Sequence, residues 1–206
     1  FTACSPKALK NLTKEFKNTQ DDAMQDLLEP INDQIAWITG SQVCYCAEAF
    51  QGVSRQHPDA APLSVLATVL RNGFLHTAIR EKGGAYGAGA TNDTSTNTFK
   101  FFSYRDPKCT ETFAAFKDAI EWSKTSITDQ HLEEAILGVV SSIDKPLSPV
   151  GEAKNDFNFN LENITTKERL EMRQQVINCS IEDLIRVSKK YLLSLIHISE
   201  PTRPRI

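Results

Sequence analysis

Two adjacent glycines, Gly83 and Gly84, stand where the period of the apolar residues changes. Ahead of them, PLSVLATVLRNGFLHTAIR (62–80) sets Leu63, Leu66, Leu70 and Phe74 on one helical face, with Val65, Val69 and Ile79 nearby. A helix apolar around most of its circumference is a buried one. Behind them, Ala85 to Ala90 and Asn97 to Tyr104 read as two strands joined by the polar turn TNDTST. A diglycine ends the helix and permits a sharp reversal through positive φ. A central helix feeding directly into a hairpin needs layers on both sides of it, and this limits the folds open to the chain.

The remaining segments supply those layers. Gln42 to Val53 alternates Val43, Tyr45, Ala47 and Ala49 with Gln42, Cys44, Cys46 and Glu48, a strand pattern. His57-Pro58-Asp59 marks a loop. Cys109 to Ser123 is a helix with Phe113, Phe116 and Ile120 inward, and Asp129 to Ile143 is another, capped by Thr128, with Leu132, Ile136, Val139 and Ile143 inward. Pro146 to Gly151 is a break. Thr165 and Glu168 form a capping box that opens a helix, and Ser180 to Asp183 opens the last one, with Ile181, Leu184, Val187 and Tyr191 inward. The order of strand, long helix, hairpin and several helices predicts an α+β domain: an antiparallel sheet with helices packed on one face.

That domain is expected over residues 41–192. Residues 1–40 read as a linker or extension, with a short helix opened by Ser5-Pro6. The start, FTACSPKALK, lacks an initiator Met and a signal pattern, so the chain is expected to begin inside a longer protein. LSLIHISEPTR, from Leu193 to Arg203, resembles the translated mosaic-end adaptor of transposon-based sequencing libraries; residues 193–206 are expected to be a non-native tail.

A net charge of −3 gives no basic stripe for nucleic acid, and no apolar run is long enough for a membrane span, so neither partner is expected. Five cysteines at irregular spacing argue against a disulfide framework and for a reducing compartment. Cys44 and Cys46 lie two apart in a strand and share a face; no second Cys/His pair has zinc-like spacing.

Chemistry concentrates in LHTAIREKGGAYGAG (75–89). Arg80 ends the helix, Gly83 and Gly84 make the turn, and Tyr86 begins a strand. A guanidinium with five donors and a phenol with one directional donor, mounted on rigid elements around a tight turn, suit a peptide carbonyl gaining negative charge. Each residue also has a plain structural explanation, since Arg complements a helix C-terminus and Tyr often anchors a strand start. The glycines do not match a phosphate loop, because the GxxxxGK[ST] pattern is absent and a strand follows. His131-Leu-Glu-Glu134-Ala135 has Ala where an inverted zinc motif needs its second His, so His131 and Glu134 read as the solvated face of a helix. His76 reads as a satisfied helix residue and His57 as a loop residue.

The run IREKGGAYGAG resembles the Arg/Tyr element in the C-terminal half of pitrilysin/insulinase-type zinc metalloendopeptidases, nearest the presequence-protease branch. QVCYCAEAF, the buried helix, IDKPLSPVGEAKNDF and IEDLIRVSKKYL resemble the same family in order and spacing over about residues 40–191. The resemblance implies two homologous halves closing like a shell around a peptide. Zinc is implied in the parent enzyme, held by an H-x-x-E-H motif in the N-terminal half, which this chain lacks. Arg80 and Tyr86 are the implied catalytic contacts to the substrate carbonyl, Gly83 and Gly84 the substrate-side turn, and no metal ligand falls in this chain. The implied partners are the N-terminal half of the same polypeptide and a short unstructured peptide such as a presequence. The implied compartment is the mitochondrial matrix or the bacterial cytoplasm. Two other readings stay open: a catalytically inactive structural domain of the same fold, and one subunit of a two-chain processing peptidase.

Overall fold

The computed structural model describes residues 35–38 and 40–192. The expected N-terminal helix and the expected adaptor tail both lie outside the described residues. Three strands form one antiparallel sheet: β1 (Cys44–Gln51), β2 (Gly87–Asp93) and β3 (Thr98–Asp106), in the order β1-β3-β2. β2 and β3 are the predicted hairpin, with Asp93 pairing Thr98 at its closed end. Asp93 Oδ1 accepts from the Ser95 and Thr96 backbone N–H groups, an Asx-type turn that brings the strands back together.

The long helix begins two residues earlier than its apolar pattern suggests. α1 (Ala60–Leu70) carries Pro62 inside its first turn, where a missing N–H costs nothing. It then continues as a π-helical stretch, Arg71–Glu81, in which only Leu75 and Ile79 are buried. α1 itself is buried nearly throughout, with Leu63, Leu66, Leu70, Val65 and Val69 all inaccessible. Among the described residues five further helices follow: α2 (Cys109–Trp122), α3 (Asp129–Ile143), α4 (Pro149–Leu161), α5 (Thr166–Ile177) and α6 (Ile181–Val187), the last running into a π turn to Leu192. α3, α5 and α6 pack on α1, which also packs on β2, and α2 packs on β1. This is the expected α+β layering, with α1 in the middle because it is apolar on every side.

Capping decided the helix starts as the sequence predicts. Thr165 and Ser180 accept from Glu168 and Asp183 N–H, and those carboxylates reach back to the cap N–H. Thr128 caps α3 in the same reciprocal way with His131, whose Nδ1 accepts from Thr128 N–H. His131 is therefore half-buried, its ring edge-on to Trp122 at 5.2 Å, while Glu134 lies on the exposed face as expected. α4 has no counterpart in the apolar pattern. Ser148 caps it and Pro149 occupies its first turn, but none of its residues is buried, so no hydrophobic stripe announces it.

The inner face of β1 is Cys46, Glu48 and Phe50; Tyr45, Ala47 and Ala49 face outward. On β3, Phe99, Phe101 and Ser103 face the helices. Phe101 packs on Phe50, Phe99 and Phe116. The other face of the sheet, carrying Tyr45, Phe102 and Tyr104, has no described helix over it.

Candidate functional site

The turn between helix and hairpin is built by the two glycines. Lys82 N–H donates to Thr77 O, the wide bond of a π-helix. Gly84 N–H then donates to Arg80 O at 3.0 Å and Ala85 N–H to Ile79 O at 3.1 Å. This nesting is that of a Schellman cap with each bond one residue wider, as a π-helical end requires. Gly84 has φ +86°, the left-handed region. A Cβ on Gly83 would lie 2.4 Å from Ile79 O, so the chain passes too close to the last helical turn for any side chain.

Arg80 leaves this helix end exposed to solvent. Its Nη1 lies 2.9 Å from His76 Nε2, and His76 Nδ1 lies 3.3 Å from Glu81 Oε1. The carboxylate can only accept, so it assigns the proton to Nδ1 and leaves Nε2 to accept from Arg80. Four- and five-residue spacings both flank His76 because the π-helix is wider than an α-helix. Arg80 meets no carboxylate among the described residues.

Tyr86 is 64% exposed. Its N–H donates to Arg105 O at 3.3 Å, and its ring packs on Tyr104 with centroids 5.6 Å apart. The Arg105 guanidinium lies 5.6 Å from the same ring. Tyr104 reaches Tyr86 by lying flat across Gly87, where a Cβ would stand 2.5 Å from the phenol ring. Arg105 owes its position to a bulge: Cys44 pairs with Asp106 and Tyr45 with Tyr104, leaving Arg105 unpaired with φ +49°. Such bulges turn a strand edge and re-aim its side chains. The Tyr86 hydroxyl has no hydrogen-bond partner among the described residues.

Arg80 and Tyr86 thus both project to solvent on either side of the turn, and no hydrogen bond or ring contact joins them. The depression beside the turn, about 150 Å³, is lined by Ala78, Ile79, Lys82, Gly83, Lys108 and Glu111 among others, and contains neither. Sequence reasoning missed His76, Tyr104 and Arg105 as neighbours of the pair. His76 was legible as the residue one helical turn before Arg80. Arg105 and Tyr104 were not, because the bulge that brings them there depends on β1.

The described residues do not fit a zinc ion. No three His, Cys, Asp or Glu among them are grouped to hold a metal. His131 uses its ring nitrogen in the α3 cap, and Glu134 accepts from Gln130 at 2.9 Å. No described helix is long and apolar enough to cross a membrane.

Comparison with known proteins agrees with the resemblance carried by IREKGGAYGAG. The chain is 40% identical over 154 residues to a mitochondrial presequence protease of Eremothecium gossypii, covering 74% of this chain and 15% of that protein. It is 36% identical over 169 residues to the mitochondrial presequence protease of Saccharomyces cerevisiae, covering 80% and 17%. The chain therefore spans about one sixth of the length of these relatives. Among solved structures, the inactive peptidase domain of a putative zinc protease from Bordetella parapertussis superposes with TM-score 0.62 at 16% identity, over 73% of this chain and 86% of that one. Pitrilysin superposes with TM-score 0.51 at 16% identity, over 76% and 18%. These two likenesses establish the fold. The family model for the PreP C-terminal domain matches residues 41–200, and the chain belongs to that family, the C-terminal domain of presequence proteases.

Proposed function

We propose that this chain is the substrate-clamping part of a zinc metalloendopeptidase that degrades short, unstructured peptides such as presequences. The observation that carries the reading is the pair of donors at the helix-to-hairpin turn. Arg80 and Tyr86 are mounted on a rigid cap and an aromatic stack, face solvent, and meet no carboxylate among the described residues. A peptide carbonyl that reaches both would receive a charged guanidinium N–H from Arg80 and a phenolic O–H from Tyr86. Both bonds strengthen as the oxygen becomes more negative, which is the condition for lowering a barrier rather than merely binding. His76 is a positioning residue for Arg80, and Tyr104 and Arg105 are positioning residues for Tyr86. The zinc and the residues that hold it belong to another part of the polypeptide, in the length by which the relatives exceed this chain. The names of those relatives support a mitochondrial location.

The test is peptide hydrolysis by the full-length parent enzyme. Arg80→Ala and Tyr86→Phe are each expected to lower kcat by roughly 10²-fold, the cost of one lost transition-state donor, with an unchanged melting temperature because both side chains are exposed. Wild-type turnover in both variants would overturn the reading and favour an inactive structural domain of the same fold.

A further inference from the structure

Three of the cysteines scattered along the chain meet in the fold. β1 brings Cys46 to the inner face of the sheet, opposite Ser103 of β3. β3 ends at Asp106, which is fully buried and accepts from Lys108 N–H at 2.9 Å and from the Thr112 hydroxyl at 2.6 Å. These bonds fix the corner at which the chain folds back, and α2 starts at Cys109 directly beside β1. Cys46 Sγ and Cys109 Sγ are 3.7 Å apart although 63 residues separate them in sequence. Cys44, half-buried, neighbours Cys109 as well.

The two close thiols differ in access. Cys46 is 3% exposed, which shuts out reagents in solution, and burial pushes its thiol up to about 12. Cys109 is exposed and is the first residue of a 14-residue helix, in the field of the free N–H groups there. An oxidant from solvent reaches Cys109 first and finds the second thiol already in place.

We propose that Cys109 and Cys46 form a reversible, peroxide-driven disulfide that clamps α2 to β1. Peroxide oxidises Cys109 to the sulfenic acid and is itself reduced to water. The Cys46 sulfur then bonds to the Cys109 sulfur, the S–O bond breaks, and the hydroxyl leaves as water with the thiol proton. Two thiols and one hydrogen peroxide give one disulfide and two waters. A bond of about 2.05 Å requires the sulfurs to approach by about 1.7 Å, within reach of rotation of the two side chains. A dithiol reductant reverses the link by thiol–disulfide exchange. Cys179, buried and far along the chain in α5–α6, takes no part.

The test uses the full-length protein, treated with hydrogen peroxide, denatured without reductant, alkylated with iodoacetamide and mapped by mass spectrometry. The expected result is a Cys46–Cys109 cross-linked peptide, with alkylation at Cys109 reduced more than tenfold and restored by dithiothreitol. Cys109→Ser is expected to abolish the link. Cys44→Ser and Cys179→Ser are expected to leave it intact, and the exposure of Cys109 makes its serine variant safe for the fold. Cys109 remaining fully alkylatable after peroxide, a link that maps instead to Cys44, or a link only between two chains would each overturn the proposal.

Discussion

The two ends of the central helix carry the same chemical pair and use it in opposite ways. At the N-terminal end, Asp59 precedes α1, and its buried carboxylate accepts from Arg186 at 2.6 Å, Lys190 at 2.9 Å and the Tyr191 hydroxyl at 2.6 Å. Burial alone would raise this acid, but the three donors outweigh it and hold Asp59 well below the usual carboxylate range. At the C-terminal end, Arg80 and Tyr86 share no carboxylate among the described residues. A guanidinium and a phenol satisfied by a protein acid are architecture. The same groups left facing solvent, on a backbone held by nested hydrogen bonds, are ready for an acceptor from outside. Under the proposed function, what distinguishes a binding pair from a structural one is the presence or absence of one aspartate, not the identity of the donors.

The strongest challenge to this contrast is to remove the acid. Asp59→Ala is expected to cost about 3 kcal/mol in urea unfolding of the chain, since three hydrogen bonds with charged character disappear while Arg186 and Lys190 regain only partial hydration. The sign with pH follows from a depressed folded pKa: this stability is fully present above about pH 4, the unfolded value, and is lost as pH falls through the folded one. A loss below 0.5 kcal/mol would mean the network is no more structural than the turn. Next in size is Gly83→Ala, expected to cost about 2 kcal/mol because the new Cβ meets a backbone oxygen that cannot move freely. It should also re-aim Tyr86 and lower peptide turnover in the parent enzyme. A neutral effect on both would show that the turn does not hold the pair. The smallest effect sharpens the comparison from a second acid. Glu48 is 6% exposed, and burial raises its pKa, with Lys117 opposing; its Oε2 has no partner among the described residues. Unlike Asp59, it contributes stability that is present below the unfolded value and lost as pH rises through the folded one. Glu48→Gln is therefore expected to stabilise the chain by about 1 kcal/mol at pH 7 and to give no gain near pH 4.

Helix existence and the position of the turn were legible in the residues themselves. Leu63, Leu66 and Leu70 repeat at helical spacing, Thr165 and Glu168 cap within one turn, and Gly83-Gly84 ends the helix. The face that β1 buries was less so. Tyr45, Ala47 and Ala49 are no less apolar than Cys46, Glu48 and Phe50, and α2, not composition, chose the latter. α4 escaped notice because a helix that buries nothing in this chain needs no apolar stripe; Val150, Phe157 and Leu161 are all exposed on it.

By itself the sequence determined what neighbours within about one turn can decide: helical and extended segments, their caps, and a diglycine bend with Arg80 before it and Tyr86 after it. These rest on hydrogen bonds and sterics between residues a few positions apart, which any unfolded copy of the segment already contains. Only the tertiary structure decided which acid Arg186 and Tyr191 would satisfy, that Arg105 would bulge towards Tyr86, and that Cys109 would rest against Cys46. Each of those contacts joins distant parts of the chain, so its partner exists only once the sheet and helices have packed, and residue type alone does not carry that information.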